Sequence, residues 1–420
     1  MRTVYVIGSY MTQFGKLEGK SVYDMAAEAV NGALTDAKIT KEQIQSAYVS
    51  NCLWGCLEGQ HGIRGAAMLR DLDIGGIPIF DVESACASGA VAFNGAWKEI
   101  QTGLYDCTLA LGVEKMSGFP KEKLMASFNS FVELDKLDKV AEVNAKRMEK
   151  VLHQVTVPGV DASQKSRFMD GYALMALEHM AKYQCDDAEA LAYIGAKNHN
   201  NGCLNPKAQY HFPMTPQQVK EDRMISWPIT RSMCSPTSDG GAAVILCSEE
   251  YLRTLPEDVQ ARAVRVAAAE FRSGRLVPEG EPTTNQIIFK SAFETAGIQP
   301  GDLDVLEVHD GGAPGELKAY EEIGLCEPGK GAEYALSGKA DIHGGACAVN
   351  PSGGLIARGH PVGATGLGQI YEIVTQLRGE AGERQVPNAK IGAAQNNGGS
   401  VGYHENDEGA GHCFNIFIKD

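Results

Sequence analysis

One cysteine lies where a predicted strand meets a predicted helix. Residues 81–90 read Asp-Val-Glu-Ser-Ala-Cys-Ala-Ser-Gly-Ala, so small residues around Cys86 leave room for a substrate. A thiol at a helix N-terminus is expected to have a lowered pKa, because the positive end of the helix dipole favours the nucleophilic thiolate. The first amides of a helix lack intrahelical partners, so the Cys86 N–H can donate to an oxyanion. We predict a nucleophile here, although a packed core cysteine fits this segment equally well.

A histidine in a glycine-rich turn is a candidate base for such a thiol. Residues 350–366 read Asn-Pro-Ser-Gly-Gly-Leu-Ile-Ala-Arg-Gly-His-Pro-Val-Gly-Ala-Thr-Gly, and the glycines let the backbone wrap closely around His360. An imidazole held there can take a proton from a thiol or donate to a developing oxyanion. The alternative is a histidine that caps the next helix. So much glycine around one polar residue favours the catalytic interpretation.

Two other predicted strand ends carry polar groups. His309 ends one strand, and its functional interpretation is oxyanion stabilisation, directly or through water. Asn396 ends another, and Asn side chains together with the amides of Gly398 and Gly399 can polarise a carbonyl there. The alternatives are a satisfied histidine beside a capping Asp and a simple turn. Because parallel-sheet enzymes place their sites at the carboxyl ends of strands, we expect these groups to converge with Cys86.

Strands alternate with helices in both halves of the chain, which predicts an α/β fold with a parallel or mixed sheet. The two halves share one order of elements, a weak internal duplication. A mostly helical or irregular segment, 116–231, interrupts the first half before its last strand. The predicted domains are a first core domain over 1–115 and 236–258, a loop domain over 116–235, and a second core domain over 259–420. The predicted strands cover 4–7, 47–52, 77–82, 107–112, 240–246, 263–271, 303–309, 390–395 and 412–418, and the main predicted helices cover 23–37, 86–102, 134–151, 172–183, 284–296, 316–323 and 363–378.

The composition narrows the class of protein. The net charge is −15, from 38 basic and 53 acidic residues, which argues against binding to nucleic acid or to an anionic membrane. No run approaches the roughly 18 apolar residues of a spanning helix, and the N-terminus reads as a strand rather than a signal peptide. The 11 scattered cysteines indicate free thiols in a reducing cytoplasm. No metal site is predicted, because Cys52 and Cys56 do not form a CxxC pair.

With these motifs in view, the chain resembles the thiolase family over nearly its whole length. The most specific match is Gly359–Gly366, which reads Gly-His-Pro-Val-Gly-Ala-Thr-Gly, and the second is the Glu-Ser-Ala-Cys-Ala-Ser-Gly block around Cys86. Residues 238–243 and 350–354 also fit. The resemblance is strongest to the sterol-carrier-protein-like thiolases, a group that residues 171–176 and 205–207 match as well.

This resemblance implies a duplicated five-layer α/β/α/β/α fold with an inserted loop domain, 116–235, that holds coenzyme A. It implies that Cys86 accepts the acyl group and that His360 activates it. His309 would belong to one oxyanion hole, and the amides of Cys86 and the region of Gly398 and Gly399 to another. Coenzyme A would be a co-substrate, with no tightly bound cofactor, and the protein would be a homodimer or a larger assembly.

The chain departs from the family pattern at the second catalytic cysteine. Most thiolases carry it in a Cys-x-Gly turn near the C-terminus, where this sequence has Asn396, or Asn397 in the alternative alignment. The sterol-carrier-like group carries it in His-Asp-Cys-Phe, where this sequence has Gly311 and Gly312. Cys347 is a candidate substitute, and His309 or His360 are the alternative proton shuttles.

The departures suggest a bulky substrate. Because Gly-Gly replaces Cys-Phe, we expect an enlarged site that favours a branched or aromatic acyl group. An insertion over 118–165 and an extra loop over 405–411 would shape this pocket or contact a partner. Related thiolases that lack the second cysteine often work with a small zinc-ribbon/OB-fold subunit, so we expect one here. The thiolases that cleave benzoylsuccinyl-CoA in anaerobic aromatic degradation are a specific match.

The leading hypothesis is thiolytic, retro-Claisen cleavage of a 3-oxoacyl-CoA through acyl-Cys86. The second is an acyltransferase or Claisen condensing enzyme with the same nucleophile, for which the missing base makes deprotonation of the donor harder. A retro-aldolase of the same fold and a noncatalytic acyl-CoA-binding subunit are further alternatives. An intact Cys86 argues against the aldolase. The joint presence of Cys86, His309 and His360 argues against the noncatalytic subunit.

Overall fold

The first half of the chain alternates strands and helices, as predicted. The computed structural model describes residues 2–155 and 167–419. The first helix is capped at its N-terminus by Ser21, which exchanges hydrogen bonds with Asp24 in a capping box. The elements are β1 (Val4–Met11), α1 (Val22–Ala37), β2 (Ser46–Ser50), α2 (Trp54–Glu58), α3 (Arg64–Arg70), β3 (Ile79–Val82), α4 (Ser88–Gln101) and β4 (Cys107–Glu114).

The segment between the fourth and fifth strands of the first half is mostly helical. The helix predicted over 134–151 is present, and the one predicted over 172–183 begins earlier, at Arg167. Hydrophobic periodicity did not predict α8, because polar residues such as Lys197 and Asn198 are buried on it. The end of the predicted insertion, 156–165, lies outside the described residues. The elements are α5 (Lys121–Ser127), α6 (Leu137–Leu152), α7 (Arg167–Tyr183), α8 (Ala188–Cys203), α9 (Pro216–Glu221), β5 (Met224–Ser226) and β6 (Ile229–Thr230).

The second half repeats the alternation. Helix α12 begins with a capping box between Thr283 and Gln286 and ends at Gly297, whose φ of +71° is the left-handed conformation that glycine tolerates. The first half ends with its fifth strand, β7 (Gly240–Ser248), and the short helices α10 (Glu249–Leu252) and α11 (Glu257–Arg262). The elements of the second half are β8 (Val264–Arg272), α12 (Thr284–Ala296), β9 (Val305–Glu307), α13 (Ala313–Ile323), α14 (Gly331–Leu336), β10 (Ala348–Val349), α15 (Gly354–Arg358), α16 (Thr365–Leu377), β11 (Ile391–Gly398) and β12 (Gly411–Ile418).

The strand order shows the duplication directly. The large sheet runs β10-β9-β11-β12-β8-β1-β7-β4-β2-β3, and β1 and β8 pair antiparallel at its centre. The strands of each half can be numbered one to five along the chain. From the centre of the sheet to its edge, both halves then have the same spatial order: first, fifth, fourth, second and third. The strand β2 is parallel to β3 and β4, as β9 is to β10 and β11. The weak repeat read from the order of elements is therefore confirmed as a repeated topology.

Helices α4 and α16 form the middle of the five layers. They contact each other and strands of both halves, whereas α1 packs on β1 and β7, and α12 packs on β8 and β12. The two middle helices begin side by side, because glycine lets their backbones approach. A Cβ on Gly366 would lie 2.5 Å from the Ala90 nitrogen, and one on Gly89 would lie 3.0 Å from the Leu367 nitrogen. This contact brings together the segments that precede the two helices.

No helix within residues 2–155 and 167–419 is both long and apolar enough to cross a membrane.

Candidate active site

Cys86 lies in a tight turn between β3 and α4. The turn is a 3₁₀ helix, Ala85–Ala87, and α4 itself begins only at Ser88. Ala85 has a φ of +46°, a strained conformation for a residue with a Cβ. The Ser88 hydroxyl holds the turn, since it accepts from the Ser84 N–H at 2.7 Å and donates to the Ala85 carbonyl at 2.6 Å. The backbone thus presents Cys86 at the sheet edge in a fixed orientation.

His360 is the direct partner of Cys86. Its Nε2 lies 3.2 Å from the Cys86 Sγ, and its Nδ1 lies 2.7 Å from the Thr365 Oγ1. The Thr365 hydroxyl donates its hydrogen to the Pro361 carbonyl at 2.9 Å, so its oxygen is left to accept from Nδ1–H. This assigns the proton of the neutral imidazole to Nδ1. The Nε2 lone pair therefore faces the thiol and can accept its proton.

The protonation state of the pair differs from the prediction. We expected the helix dipole to lower the pKa of Cys86, but burial raises it to about 12, with nearby Glu83 and Glu114 acting in the same direction. Burial, helped by the neighbouring His309 and Arg358, holds the pKa of His360 well below its usual value. The resting site is therefore a neutral thiol beside a neutral imidazole, and the thiolate forms only as the proton moves to Nε2.

Two buried polar residues fix the turn that carries His360. Ser238 accepts from the His360 N–H at 2.8 Å, and a Cβ on Gly359 would lie 2.8 Å from the same hydroxyl. The carboxylate of Glu114 accepts from the Gly363 N–H at 3.1 Å and from the Cys52 N–H at 2.9 Å. These contacts explain why the glycine-rich segment 359–366 and the segment that begins at Ser238 both belong to the site.

His309 lies beside His360 at the end of β9. Its backbone N–H donates to the Gln395 Oε1 at 2.9 Å, and the two imidazoles meet edge to face with centroids 5.4 Å apart. Burial lowers the pKa of His309 to about 4, so the ring is neutral. Its Nε2 has no hydrogen-bond partner in the part of the chain that the structure describes. A neutral imidazole with a free nitrogen is suited to donate to a substrate oxygen.

Strand β11 brings its glycine end against the Cys86 turn. A Cβ on Gly398 would lie 2.1 Å from the Ser84 carbonyl oxygen and 2.9 Å from the Cys86 nitrogen, so only glycine fits. Gly399 follows with a φ of +64° and lines the same cavity. The predicted groups Cys86, His309, His360, Gly398 and Gly399 therefore meet around one space.

That space is a mostly apolar cavity of about 510 Å³. Cys86, His309 and His360 all line it, and Lys318 and Glu322 add a polar stretch of wall. Its apolar wall includes Met116, Met125, Phe128, Phe131, Met175 and Phe289. The site can hold an acyl group next to a thiol, a base and a hydrogen-bond donor.

Family comparisons agree with this geometry. Residues 4–226 match the model described as thiolase, N-terminal domain, and residues 283–406 match the model described as thiolase C-terminal domain-like. The chain belongs to the thiolase family. It is therefore an acyltransferase, as its relatives' names indicate.

Three relatives show how differently named proteins match this thiolase over most of its length. It is 37% identical over 407 residues to an acetyl-CoA acetyltransferase of Methanothermobacter thermautotrophicus, covering 96% of this chain and 98% of that protein. It is 36% identical to human sterol carrier protein 2, and the match covers 95% of this chain and 70% of that protein. It is 31% identical to the benzoylsuccinyl-CoA thiolase subunit BbsB of Thauera aromatica, covering 92% and 91%.

Solved structures share the fold. The structure described as Ltp2-ChsH2(DUF35) aldolase superposes with a TM-score of 0.75 at 19% identity, covering 99% of this chain and 98% of that one. Human mitochondrial 3-ketoacyl-CoA thiolase in complex with CoA superposes with a TM-score of 0.66 at 18% identity, covering 100% and 98%. The duplicated five-layer thiolase fold expected from the sequence is thus confirmed.

One predicted residue of this thiolase points away from the cavity. Asn396 is buried on the far side of β11, where its Nδ2 donates to the Gln369 Oε1 at 2.6 Å. Its neighbours Gln395 and Asn397 line the cavity instead, because side chains alternate along a strand. The Oδ1 of Asn397 has no partner among the described residues. The structure therefore places Asn397, the alternative alignment, at the site.

The expected enlargement near Gly311 and Gly312 is also absent. A Cβ on Gly311 would lie 2.3 Å from the Tyr172 Oη, and one on Gly312 would lie 2.9 Å from the Tyr172 Cγ. The tyrosine ring, supplied by α7, thus occupies the space that the two glycines leave. Cys347, the other candidate for a second thiol, is buried in the core and is not among the residues that line the cavity.

Three supporting residues were not singled out from the sequence. Thr365 lies within the matched Gly359–Gly366 block, and Tyr172 within the matched 171–176 segment, so family resemblance carried a signal for both. Gln395 sits one position before Asn396, and its role depends on which face of β11 meets the cavity.

By spacing alone, two groups of described residues can hold a metal ion. One is Cys86, His309 and His360, and the other is His179, Cys185 and Asp187; in each, the ligand atoms lie within 4.8 Å of one another. The chemistry proposed below uses neither as a metal site.

Proposed function

We propose that this thiolase catalyses thiolytic cleavage of a 3-oxoacyl-CoA by coenzyme A, with the acyl group carried on Cys86. The observation that carries the proposal is the 3.2 Å contact between Cys86 Sγ and a His360 Nε2 that is free to accept a proton. The relatives' names, an acetyl-CoA acetyltransferase and a thiolase subunit, support the same class of reaction.

The reaction begins when the Cys86 thiol attacks the 3-keto carbon. As the new C–S bond forms, the thiol proton moves to His360 Nε2, which avoids a free thiolate in a buried site. The keto oxygen becomes an oxyanion, for which the Cys86 amide and the backbone of Gly398 and Gly399 are the proposed donors. Their close approach supports this assignment.

The carbon–carbon bond then breaks and leaves an acyl-CoA enolate. His309 Nε2 is the proposed donor to the enolate oxygen, because the ring is neutral and this nitrogen has no protein partner within the described residues. The acyl group remains on Cys86 as a thioester. Attack by the thiol of coenzyme A releases the second product and restores the thiol.

The loop domain, 116–235, is the proposed binding site for coenzyme A. It is inserted into the proposed first core domain, 1–115 with 236–258, and the proposed second core domain covers 259–420. The loop-domain residues Met116, Phe128, Tyr172 and Met175 form one wall of the cavity, so a ligand held by this segment would reach Cys86. The fold neighbour that was solved with CoA supports coenzyme A as the ligand. Coenzyme A would act as a co-substrate rather than a tightly bound cofactor.

The proposed acyl group is bulky, branched or aromatic, with benzoylsuccinyl-CoA as the specific candidate. Support comes from the methionine and phenylalanine side chains of the cavity wall and from the name of the Thauera aromatica relative. Because Tyr172 fills the space near Gly311, the proposed position of such a group is against the cavity wall that includes Met125, Phe128 and Phe131.

The proposed assembly is a homodimer or larger, with a small zinc-ribbon/OB-fold partner subunit. Strand β3 lies at an edge of the sheet and exposes Phe80, which fits pairing with a second copy. The partner subunit is supported by a relative named as a subunit and by a fold neighbour whose name includes a DUF35 component.

Mass spectrometry of the intact protein tests the proposal. The protein is mixed with acetoacetyl-CoA or benzoylacetyl-CoA, and we expect a mass gain that maps to Cys86 and disappears when coenzyme A is added. Cys86→Ser should show no gain, whereas Cys56→Ser, which removes an exposed cysteine, should behave as wild type. No gain with either thioester, repeated with a DUF35-type partner present, would reject the nucleophile and favour the aldolase or acyl-CoA-binding alternative.

A further inference from the structure

The proposed reaction needs a second proton carrier besides His360. The departing enolate must gain a proton, and coenzyme A must lose one before it attacks the acyl-Cys86 thioester. Of the described residues that line the cavity, Cys86 is the one with a thiol. The amides of Gln395 and Asn397 are not acids or bases at neutral pH, and the neutral His309 is already assigned as the hydrogen-bond donor to the enolate oxygen. Another acid/base group must therefore act in this cavity.

Tyr172 is the titratable group nearest to the position of the missing thiol. Its Oη lies where the side chain of residue 311 would begin, 2.3 Å from an ideal Cβ on Gly311. In the sterol-carrier-like group, this is the position that carries the cysteine. The same Oη lies 3.4 Å from the His309 Nδ1, so the hydroxyl borders the proposed site of the enolate oxygen.

The other titratable groups of the wall are less well placed. Lys318 and Glu322 line the cavity, but they lie on α13 roughly 8 and 14 Å beyond its first residue, Ala313. They also pair with each other at 3.4 Å, and Glu322 accepts from Asn285 at 3.0 Å. Because Lys318 and Glu322 pair with each other, neither is placed to exchange a proton beside His309.

We propose that the Tyr172 hydroxyl is the second acid/base of the reaction, protonating the enolate carbon and then accepting the thiol proton of coenzyme A. This assignment rests on the proposed thiolytic function. The aromatic ring brings the group into the site from α7, whereas the sterol-carrier-protein-like thiolases that this chain resembles carry a thiol at the position of Gly311.

The proton and bond changes balance. When the carbon–carbon bond breaks, its electron pair stays on the α-carbon of the enolate, which takes the proton of Tyr172 and leaves a phenolate. After the first acyl-CoA departs, coenzyme A gives its thiol proton to the phenolate and attacks the acyl-Cys86 carbonyl as a thiolate. The bond to Sγ breaks, and Cys86 recovers the proton held on His360. One 3-oxoacyl-CoA and one coenzyme A give two acyl-CoA molecules, with no change of oxidation state.

The surroundings of Tyr172 suit this role. Burial holds its pKa well above the ordinary value, with nearby Cys86 and Asp310 acting in the same direction. The resting group is therefore a phenol, ready to give a proton to a carbon base. The phenolate that results is a strong base, which favours removal of the thiol proton from coenzyme A.

Tyr172→Phe separates the two half-reactions while the ring still fills the space over Gly311. Cleavage of benzoylacetyl-CoA is followed by chromatography, and acetylation of Cys86 by p-nitrophenyl acetate is followed by intact mass, because this leaving group needs no acid. We expect cleavage to fall by about 10²–10⁴-fold, with acetylation kept within about threefold. Tyr23→Phe, a tyrosine outside the cavity, is the matched control.

Three results would overturn the proposal. Tyr172→Phe that cleaves within about threefold of wild type would show that the hydroxyl carries no proton. A parallel fall in acetylation would show that Tyr172 only holds the site together. Failure of wild-type Cys86 to be acylated by either 3-oxoacyl-CoA would reject the proposed function itself, and this is seen before the variant is compared.

Discussion

Replacement of His360 by asparagine tests whether the imidazole is the base that Cys86 requires. Burial raises the pKa of the thiol to about 12, so without a base only about one thiol in 10⁵ is ionised at pH 7. A positioned general base contributes about 10²–10⁴-fold to such a step. We therefore expect acetylation of Cys86 at pH 7 to fall by about this factor in His360→Asn.

The pH dependence gives a sharper criterion than the rate. In His360→Asn the rate should follow the thiolate fraction and rise about tenfold per pH unit from pH 6 to 10, since this range lies below the pKa of Cys86. In the wild type the proton moves within the pair. Because His360 has a pKa well below its usual value, it stays neutral over the same range, and the rate should be flat.

Quench-flow with p-nitrophenyl acetate and intact mass spectrometry measures both profiles. His343→Asn, which changes an exposed histidine in a turn, is the matched control and should match the wild type. A His360→Asn profile as flat as that of the wild type would refute the reasoning, as would a rate at pH 7 within about threefold of it.

Two further predictions concern positioning and stability. Thr365→Val leaves the His360 Nδ1–H without its acceptor in a buried site, so acetylation of Cys86 should fall about 10- to 100-fold, whereas Thr365→Ser should keep it; equal rates in the two variants would contradict the tautomer assignment. Burial opposes the charge on His179, but its bonds to Asp187 and Glu321 outweigh burial and raise its pKa to about 9, above the ordinary histidine value of 6.5. The stabilisation it gives is complete below pH 6.5 and is lost as the pH rises through 9. His179→Gln should therefore lower the free energy of unfolding in urea by up to about 3 kcal/mol at pH 6 and by little at pH 10, and an equal loss at both would contradict the charge assignment.

The sequence could predict those site residues that can be recognised from the residues next to them in the chain. Cys86 and His360 each stand in a run of small residues between a strand and a helix, and the structure brings both to one cavity. The strand order could be anticipated as a duplication, since alternation of strands and helices is visible in each half. The boundaries moved by a few residues, as in α7, which begins at Arg167.

The parts that the sequence could not predict depend on contacts between distant segments. The pKa of Cys86 is set by burial, which appears only when the halves close over it, and this outweighs the helix end. The choice between Asn396 and Asn397 depends on which face of β11 meets the cavity, and a shift by one residue exchanges the faces. The glycine at position 311 led us to expect open space in the cavity, but the side chain of Tyr172, from another segment, fills that space.

The duplication explains why the proposed nucleophile and the proposed base lie next to each other. Cys86 follows the third strand of the first half, and His360 follows the third strand of the second, each just before a middle-layer helix. Those helices begin side by side because a Cβ on Gly366 would lie 2.5 Å from the Ala90 nitrogen, so no larger residue allows the contact. The 3.2 Å separation of Sγ and Nε2 is thus set by helix packing between the halves. Two equivalent positions of the repeat thus carry the two proposed roles, Cys86 that of nucleophile and His360 that of base.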